Sequence, residues 1–237
     1  MAKSSASASR VAAVATMIRE GIFQGRFSPG SPLRELTLAR EMNVSQATVR
    51  EALQRLEHAG LITRKANVGS TVTRLTPRDI RERVALRAML EITAADAAAA
   101  RMTEADFTEL ERRLAVLGAA VESDKYYEAA QADLEFHRHI WHCSGNETLC
   151  RILEQVAVPL FAFISILRCQ GLQKLTAVVE GHSPLVEALK SRDPERIHPA
   201  FKLGATSSYQ IFLGEEPTIA QVYGFLDANQ EPRPTQR

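Results

Sequence analysis

The sequence predicts a mainly α chain in two parts: a small helical head closed by a β-hairpin, and a larger all-α bundle behind it. Three observations carry this reading. Breakers divide residues 10–76 into short elements, with strand-like segments only at the end of that stretch. From Pro77 onward helical spacing dominates and strand alternation is absent. Charge is segregated in the same way: residues 1–76 hold 11 Lys/Arg and 5 Asp/Glu, residues 77–237 hold 18 and 23, although the whole chain nets only +1. A basic head on an acidic body points to a polyanionic partner for the head.

The elements follow in order. Met1 to Ser9 is Ala/Ser-rich, lacks the apolar core of a signal peptide, and reads as a loose tail. Residues 10–25 place Val11, Val14, Ile18 and Ile22 on one helical face. The Phe27–Pro32 stretch, with Pro29 and Pro32, cannot continue that helix. Residues 35–42 form a short helix ending near Asn43, and Ser45 is placed to cap a second helix through Ala59, stopped by Gly60. Two short strands, Leu61–Arg64 and Ser70–Arg74, flank a turn at Asn67–Gly69. Helix, helix, turn, helix, hairpin is the winged helix-turn-helix plan, set here at residues 10–76. Residues 77–214 then read as helices at 77–101, 104–122, 126–143, 147–168, 172–191 and 199–213, and 215–237, with Pro217, Pro232 and Pro234, as a tail.

No apolar run approaches the roughly 20 residues that span a bilayer, so no membrane role is expected. Cys143, Cys150 and Cys169 form no CxxC pair, which suits a reducing cytoplasm.

In the helix 45–59, Val49, Ala52, Leu53 and Leu56 make a core stripe. Gln46, Thr48, Arg50 and Arg55 are left for double-stranded DNA. Gln46 suits an adenine edge and Arg50 a guanine or a phosphate, while Ser45 and the helix N-terminus suit a phosphate. Arg64 and Lys65, with Asn67 and Gly69 at the tip, form a small wing. A solvated helix face explains such residues in a lone helix; here the turn, the wing and the local charge agree with DNA binding.

The stretch 35–61, ELTLAREMNVSQATVREALQRLEHAGL, resembles the GntR-family signature, and the likeness reaches back to IREGIFQGRFSPGSPL and forward to VGSTV. Many members carry Arg after the Val-Ser; this chain has Gln46, which alters the expected base preference. Residues 78–213 resemble the all-helical FCD bundle of the FadR-type subgroup, through VALRAMLEITAADAAA, DLEFHRHIWHCSGNETL and VVEGHSPLVEALKSRD. The resemblance implies a homodimer that binds a small carboxylate or related metabolite, in many members over a divalent metal held by one Asp and three His. Ligand-relieved repression of a metabolic operon is the commoner arrangement.

From the residues alone, Asp133 and His137 share one helix face and form half of a Zn, Ni or Mn site, or an ordinary surface pair. The resemblance carries Asp133, His137 and His182 into the pocket. It places the fourth ligand at Gly204, which has no side chain to offer. His198 lies six residues earlier, about 600° and about 9 Å away along a helix, and replaces it only if Pro199 distorts the helix. Three ligands with water and effector, a weakened site, or a metal-free pocket all remain open. Arg87 is read either as a carboxylate clamp or as the i,i+4 partner of Glu91. Asn146 reads as a helix cap. A bundle that only dimerises is the nearest alternative function. A metal-dependent enzyme is the remote one, since no general base stands at supporting spacing.

Overall fold

The computed structural model describes residues 2–65 and 69–210, with side chains from residue 8 onward except those of 65 and 177. The head consists of α1 (Ala2–Phe23), β1 (Pro32–Leu33), α2 (Glu35–Glu41), α3 (Gln46–His58), β2 (Ile62–Lys65) and β3 (Gly69–Val72). The strands form an antiparallel sheet in the order β1-β3-β2, with Lys65 opposite Gly69. Val11, Val14, Ile18 and Ile22 of α1 are buried against Val49, Ala52, Leu53 and Leu56 of α3. Asn43, at φ 51°, makes the turn between α2 and α3, a conformation Asn tolerates better than most residues.

Three expectations are corrected in the head. Residues 2–9 are the first turns of α1, not a loose tail; alanine is the best helix former and the run carries no breaker. The hairpin strands are shifted by a residue or two, to 62–65 and 69–72. A third strand, β1, pairs Pro32 and Leu33 with Thr71 and Ser70; it sits at the sheet edge, where proline is tolerated.

The bundle is α4 (Pro77–Arg101), α5 (Glu104–Glu122), α6 (Tyr126–Cys143), α7 (Glu147–Cys169), α8 (Ala177–Ser191) and α9 (Pro194–Thr206), followed by a 3-10 turn, Ser207–Tyr209. Reciprocal capping boxes, Thr76 with Asp79 and Thr103 with Asp106, start α4 and α5. Asn146 caps α7, accepting from the Leu149 N–H at 3.0 Å. The last helix starts at Pro194 rather than 199, capped by Asp193. Proline is pre-organised for the first helical position, and Pro199 is accommodated one turn later. The tail 215–237 lies outside the described residues.

Three features tie head to bundle. One apolar cluster runs from α1 and α3 into Leu134, Trp141, Leu153, Ala157, Val158 and Phe161. In addition, the Ser165 hydroxyl of α7 donates to the Phe23 carbonyl at the end of α1, at 3.0 Å. Pro159 lies inside α7 and so cannot bond the Gln155 carbonyl; the Arg83 guanidinium of α4 donates to that oxygen instead, at 2.8 Å. Gly60, at φ +70°, packs on this point: a Cβ there would fall 3.0 Å from Pro159 Cγ and 3.1 Å from the Gln155 oxygen. Among the described residues α7 is the one helix apolar and long enough to cross a bilayer, a length the sequence reading did not credit. Its apolar window is 78% buried inside the protein, which is how a core helix is used.

Candidate functional site

The outer face of the head is organised by a residue that sequence reasoning missed. Glu35, at the start of α2, accepts from Gln46 Nε2 at 2.9 Å and from Arg50 Nη2 at 2.8 Å. Arg64 of β2 lies 3.7 Å from its other oxygen. Arg50, with Gln46 and Arg64, holds the Glu35 carboxyl below its ordinary range. Three expected contact residues are thus gathered at one point. Ser45 caps α3 by accepting from the Thr48 N–H at 3.1 Å, and the two hydroxyls lie 2.8 Å apart. Arg50 stays half exposed, and Arg55 is exposed further along α3, apart from this cluster. Gly69 opens β3 at φ +96°. Asn67 and the Lys65 side chain lie outside the described residues.

The bundle encloses a second, very different site. Arg87, Glu91, Asp133, His137, Arg168 and His182 are all buried. Asp133 Oδ1 lies 2.9 Å from His182 Nε2 and 3.6 Å from His137 Nε2. Arg87 pairs with Glu91 at 3.2 Å, as its i,i+4 reading requires, and also lines the pocket, with its guanidinium 4.5 Å over the Phe161 ring. Burial pushes the Glu91 carboxyl up, but Arg87 and His137 outweigh it and hold it at about 2. Burial likewise opposes ionisation of Asp133, and His182, His137 and Arg168 still keep it well below the usual carboxylate range. His137 is lowered by burial, only partly offset by Glu91. The cavity among them is about 30 Å³, room for a water-sized group.

The donor set fits a divalent cation. Asp133, His137 and His182 each offer one atom within 4.8 Å of the others. His182 Nδ1 lies 2.5 Å from the Val178 carbonyl, which assigns the ring proton to Nδ1 and leaves the Nε2 lone pair facing a carboxylate oxygen. Two acceptors so close need a cation between them, a proton or a metal. His137 Nδ1 lies 3.2 Å from Glu91 without a formed hydrogen bond; outer partners of this kind orient metal-binding imidazoles. Gly204 lines the same cavity and contributes no donor. His198 does not take its place: it bonds Asp96 at 2.9 Å, and its side chain is 49% exposed. A second cluster, Asp106, His139 and Cys143, also comes within 4.8 Å. Its groups are already engaged: His139 meets the Asp106 carbonyl, and Asp106 caps Thr103. Burial, with Asp106, pushes the Cys143 thiol up to about 11.

Sequence reasoning missed Arg168 and Tyr209 as pocket residues, and took Glu91 only as a partner for Arg87. The available signal was Arg168 itself, the first charge after an uninterrupted run from Gln155 of α7. Tyr209 gave none.

A winged helix-turn-helix head joined through one core to a helical bundle with a polar pocket defines a DNA-binding transcriptional regulator with its own effector domain. Residues 10–72 match the model of the bacterial regulatory proteins of the gntR family, and residues 82–202 match the FCD domain; the chain belongs to the GntR family and carries an FCD domain. It is 29% identical over 186 residues to the probable D-xylose utilization operon transcriptional repressor of Paenarthrobacter nicotinovorans, covering 77% of this chain and 81% of that protein. It is 25% identical over 187 residues to the HTH-type transcriptional repressor RspR of Escherichia coli, covering 78% and 80%. The structure of E. coli McbR/YncC superposes with a TM-score of 0.73 at 24% identity, over 86% of this chain and 97% of that one, a likeness of fold.

Proposed function

We propose that the chain is a cytoplasmic, homodimeric repressor of a metabolic operon, released from its operator by a small carboxylate. The head, residues 10–76, reads DNA with Gln46, Thr48, Arg50 and Arg55, anchors on phosphate through Ser45, and sets its wing with Arg64, Lys65, Asn67 and Gly69. The bundle, residues 77–214, pairs two copies so that two recognition helices meet a palindromic site. Its pocket binds the effector with Arg87, Asp133, His137 and His182. The observation that carries this is the convergence of those four buried side chains on one cavity. A repressor of a sugar-utilisation operon among the relatives supports the regulatory sense.

Asp133, His137 and His182 would hold one Zn, Ni or Mn ion, and Gly204, which lines the same cavity, would add no ligand. Such an ion supplies Lewis-acid attraction for a carboxylate. The chain's own residues fix the His182 tautomer through the Val178 carbonyl and connect the pocket to the head. Phe161 of α7 forms part of the pocket wall, and Ser165, one turn on, holds the end of α1. An effector acts only by binding the operator-free arrangement more tightly than the bound one.

The test is a thermal-shift screen of chelator-stripped protein with organic and sugar acids, each with and without Zn²⁺, Ni²⁺ or Mn²⁺. Stabilisation that grows with ligand concentration supports a sensor. A flat response across the panel supports a bundle that only dimerises, a reading that the small cavity favours.

A further inference from the structure

Among the described residues, Arg168 is a buried charge with poor pairing. Its side chain is only 7% exposed, its Nε has no hydrogen-bond partner, and the ion-pair partner it has among the described residues, Asp133 Oδ2, stands 3.7 Å away, beyond hydrogen-bond reach. A guanidinium has five N–H donors and stays charged in proteins, so burying it this poorly paired is costly. The Arg87 Nε likewise lacks a hydrogen bond, but its charge is better matched: it faces Glu91 at 3.2 Å and His137 at 3.4 Å and lies over Phe161. Arg168 lines the same cavity as His137 and His182, with Ser207, Ser208 and Tyr209 on the wall beyond Gly204. Burial pushes the Tyr209 phenol up to about 12, so its O–H remains available to donate.

We propose that Arg168 is the main carboxylate anchor of this pocket, holding a small effector carboxylate through its guanidinium without requiring a metal. The inference rests on the sensor reading and deepens it. The acid replaces Asp133 as the partner of Arg168 and forms the paired N–H···O bonds that the structure leaves unmade. A cavity of about 30 Å³ admits only a compact acid end, so the group meeting Arg168 is an unbranched carboxylate or a 2-hydroxy acid. Any larger remainder lies toward Ser207 and Ser208. Because Arg168 follows Ser165 on α7, the anchor sits one turn from the link to the head.

The experiment uses the full chain, stripped of metal by chelator, with acetate and lactate as probes and chloride at matched ionic strength as control. Melting temperature is titrated for wild type, Arg168→Lys and Arg87→Lys. Lysine keeps the charge and loses the planar fork, so Arg168→Lys should raise the half-saturating concentration on the order of tenfold or more, the scale of a charged hydrogen bond. Arg87→Lys should shift it less. In wild type, the sequentially assigned Arg168 Nε–H resonance should move on saturation, a readout that stands even if the variant fails to fold. An unchanged midpoint in folded Arg168→Lys, or an unmoved Nε–H signal at saturation, overturns the assignment while leaving carboxylate sensing intact. If, on readdition of Zn²⁺, Ni²⁺ or Mn²⁺, the acids act only with metal, the metal-free anchor is overturned whatever Arg168→Lys does. If neither acid stabilises wild type with or without metal, the anchor and carboxylate sensing fail together.

Discussion

Ser165→Ala removes a single hydroxyl at the junction of head and bundle. Ser165 is 1% exposed, and its Oγ donates to the Phe23 carbonyl at 3.0 Å. The Cys169 thiol, at 3.9 Å, is the other neighbour of that oxygen and a weak donor. The substitution therefore leaves a buried acceptor nearly unpaired, at a cost of about 1–3 kcal/mol. With about 1.5 kcal/mol and about 2–4 °C per kcal/mol for a chain of this size, the melting temperature falls by roughly 3–6 °C. Hydrogen exchange should locate the loss: amides in the last turn of α1 lose protection while those of α9 keep theirs. Ser123→Ala is the control, an exposed hydroxyl bonded within its own helix, expected within about 0.5 kcal/mol of wild type. A Ser165→Ala melting temperature matching that control, with α1 protection unchanged, refutes the claim that this hydrogen bond fastens the head.

Two further substitutions probe the two sites. Glu35→Gln frees Arg50 and Arg64 from their carboxylate; exposed pairs of this kind contribute about 0–1 kcal/mol to folding, so stability should hardly move. Affinity for random-sequence DNA should rise, and its salt dependence should steepen by about 0.9 for each phosphate newly neutralised; unchanged salt slopes would show that Glu35 does not restrain these arginines. Gly204→His adds a fourth donor to the Asp133 cluster, but a Cβ there meets Leu185 Cδ2 at 3.2 Å, so it is paired with Leu185→Ala. Zinc competition against a chromophoric chelator should then show tighter binding by on the order of tenfold, and no gain would mean that residue 204 does not point at the cluster.

How much was legible in the sequence follows from which signals are local. Capping residues, αL turns and helical spacing act within a few residues, so α2 to α7 were readable nearly to the residue. The core stripe of α3 was readable for the same reason. β1 was not, because two residues, the first a proline, carry no period and become a strand only when β3 supplies the partner. The start of α9 was misplaced because Pro199 was weighed as a breaker while Pro194, the better N1 residue, went unused. The pocket was half legible. Asp133 and His137 announce themselves by sharing a helix face, and His182 came through family resemblance. Arg168 and Tyr209 reach the cavity from distant parts of the chain, through packing that no local pattern encodes. Glu35 was hidden by ordinariness: an acid in a first helical turn reads as dipole complement, and its grip on Arg50 depends on the angle between α2 and α3.

The continuous core across head and bundle bears on how such proteins can be recombined. Val11, Val14 and Ile18 belong to one apolar cluster with Trp141, Leu153 and Phe161, and Gly60 is shaped to the bend at Pro159. A chimera that grafts another member's reading head onto this bundle must therefore carry matching surfaces of α1 and the Gly60 turn, or redesign α7 to receive them. Cutting at Thr76, the obvious seam in the chain, would separate two halves of one interior, and each would expose apolar surface that the other normally covers.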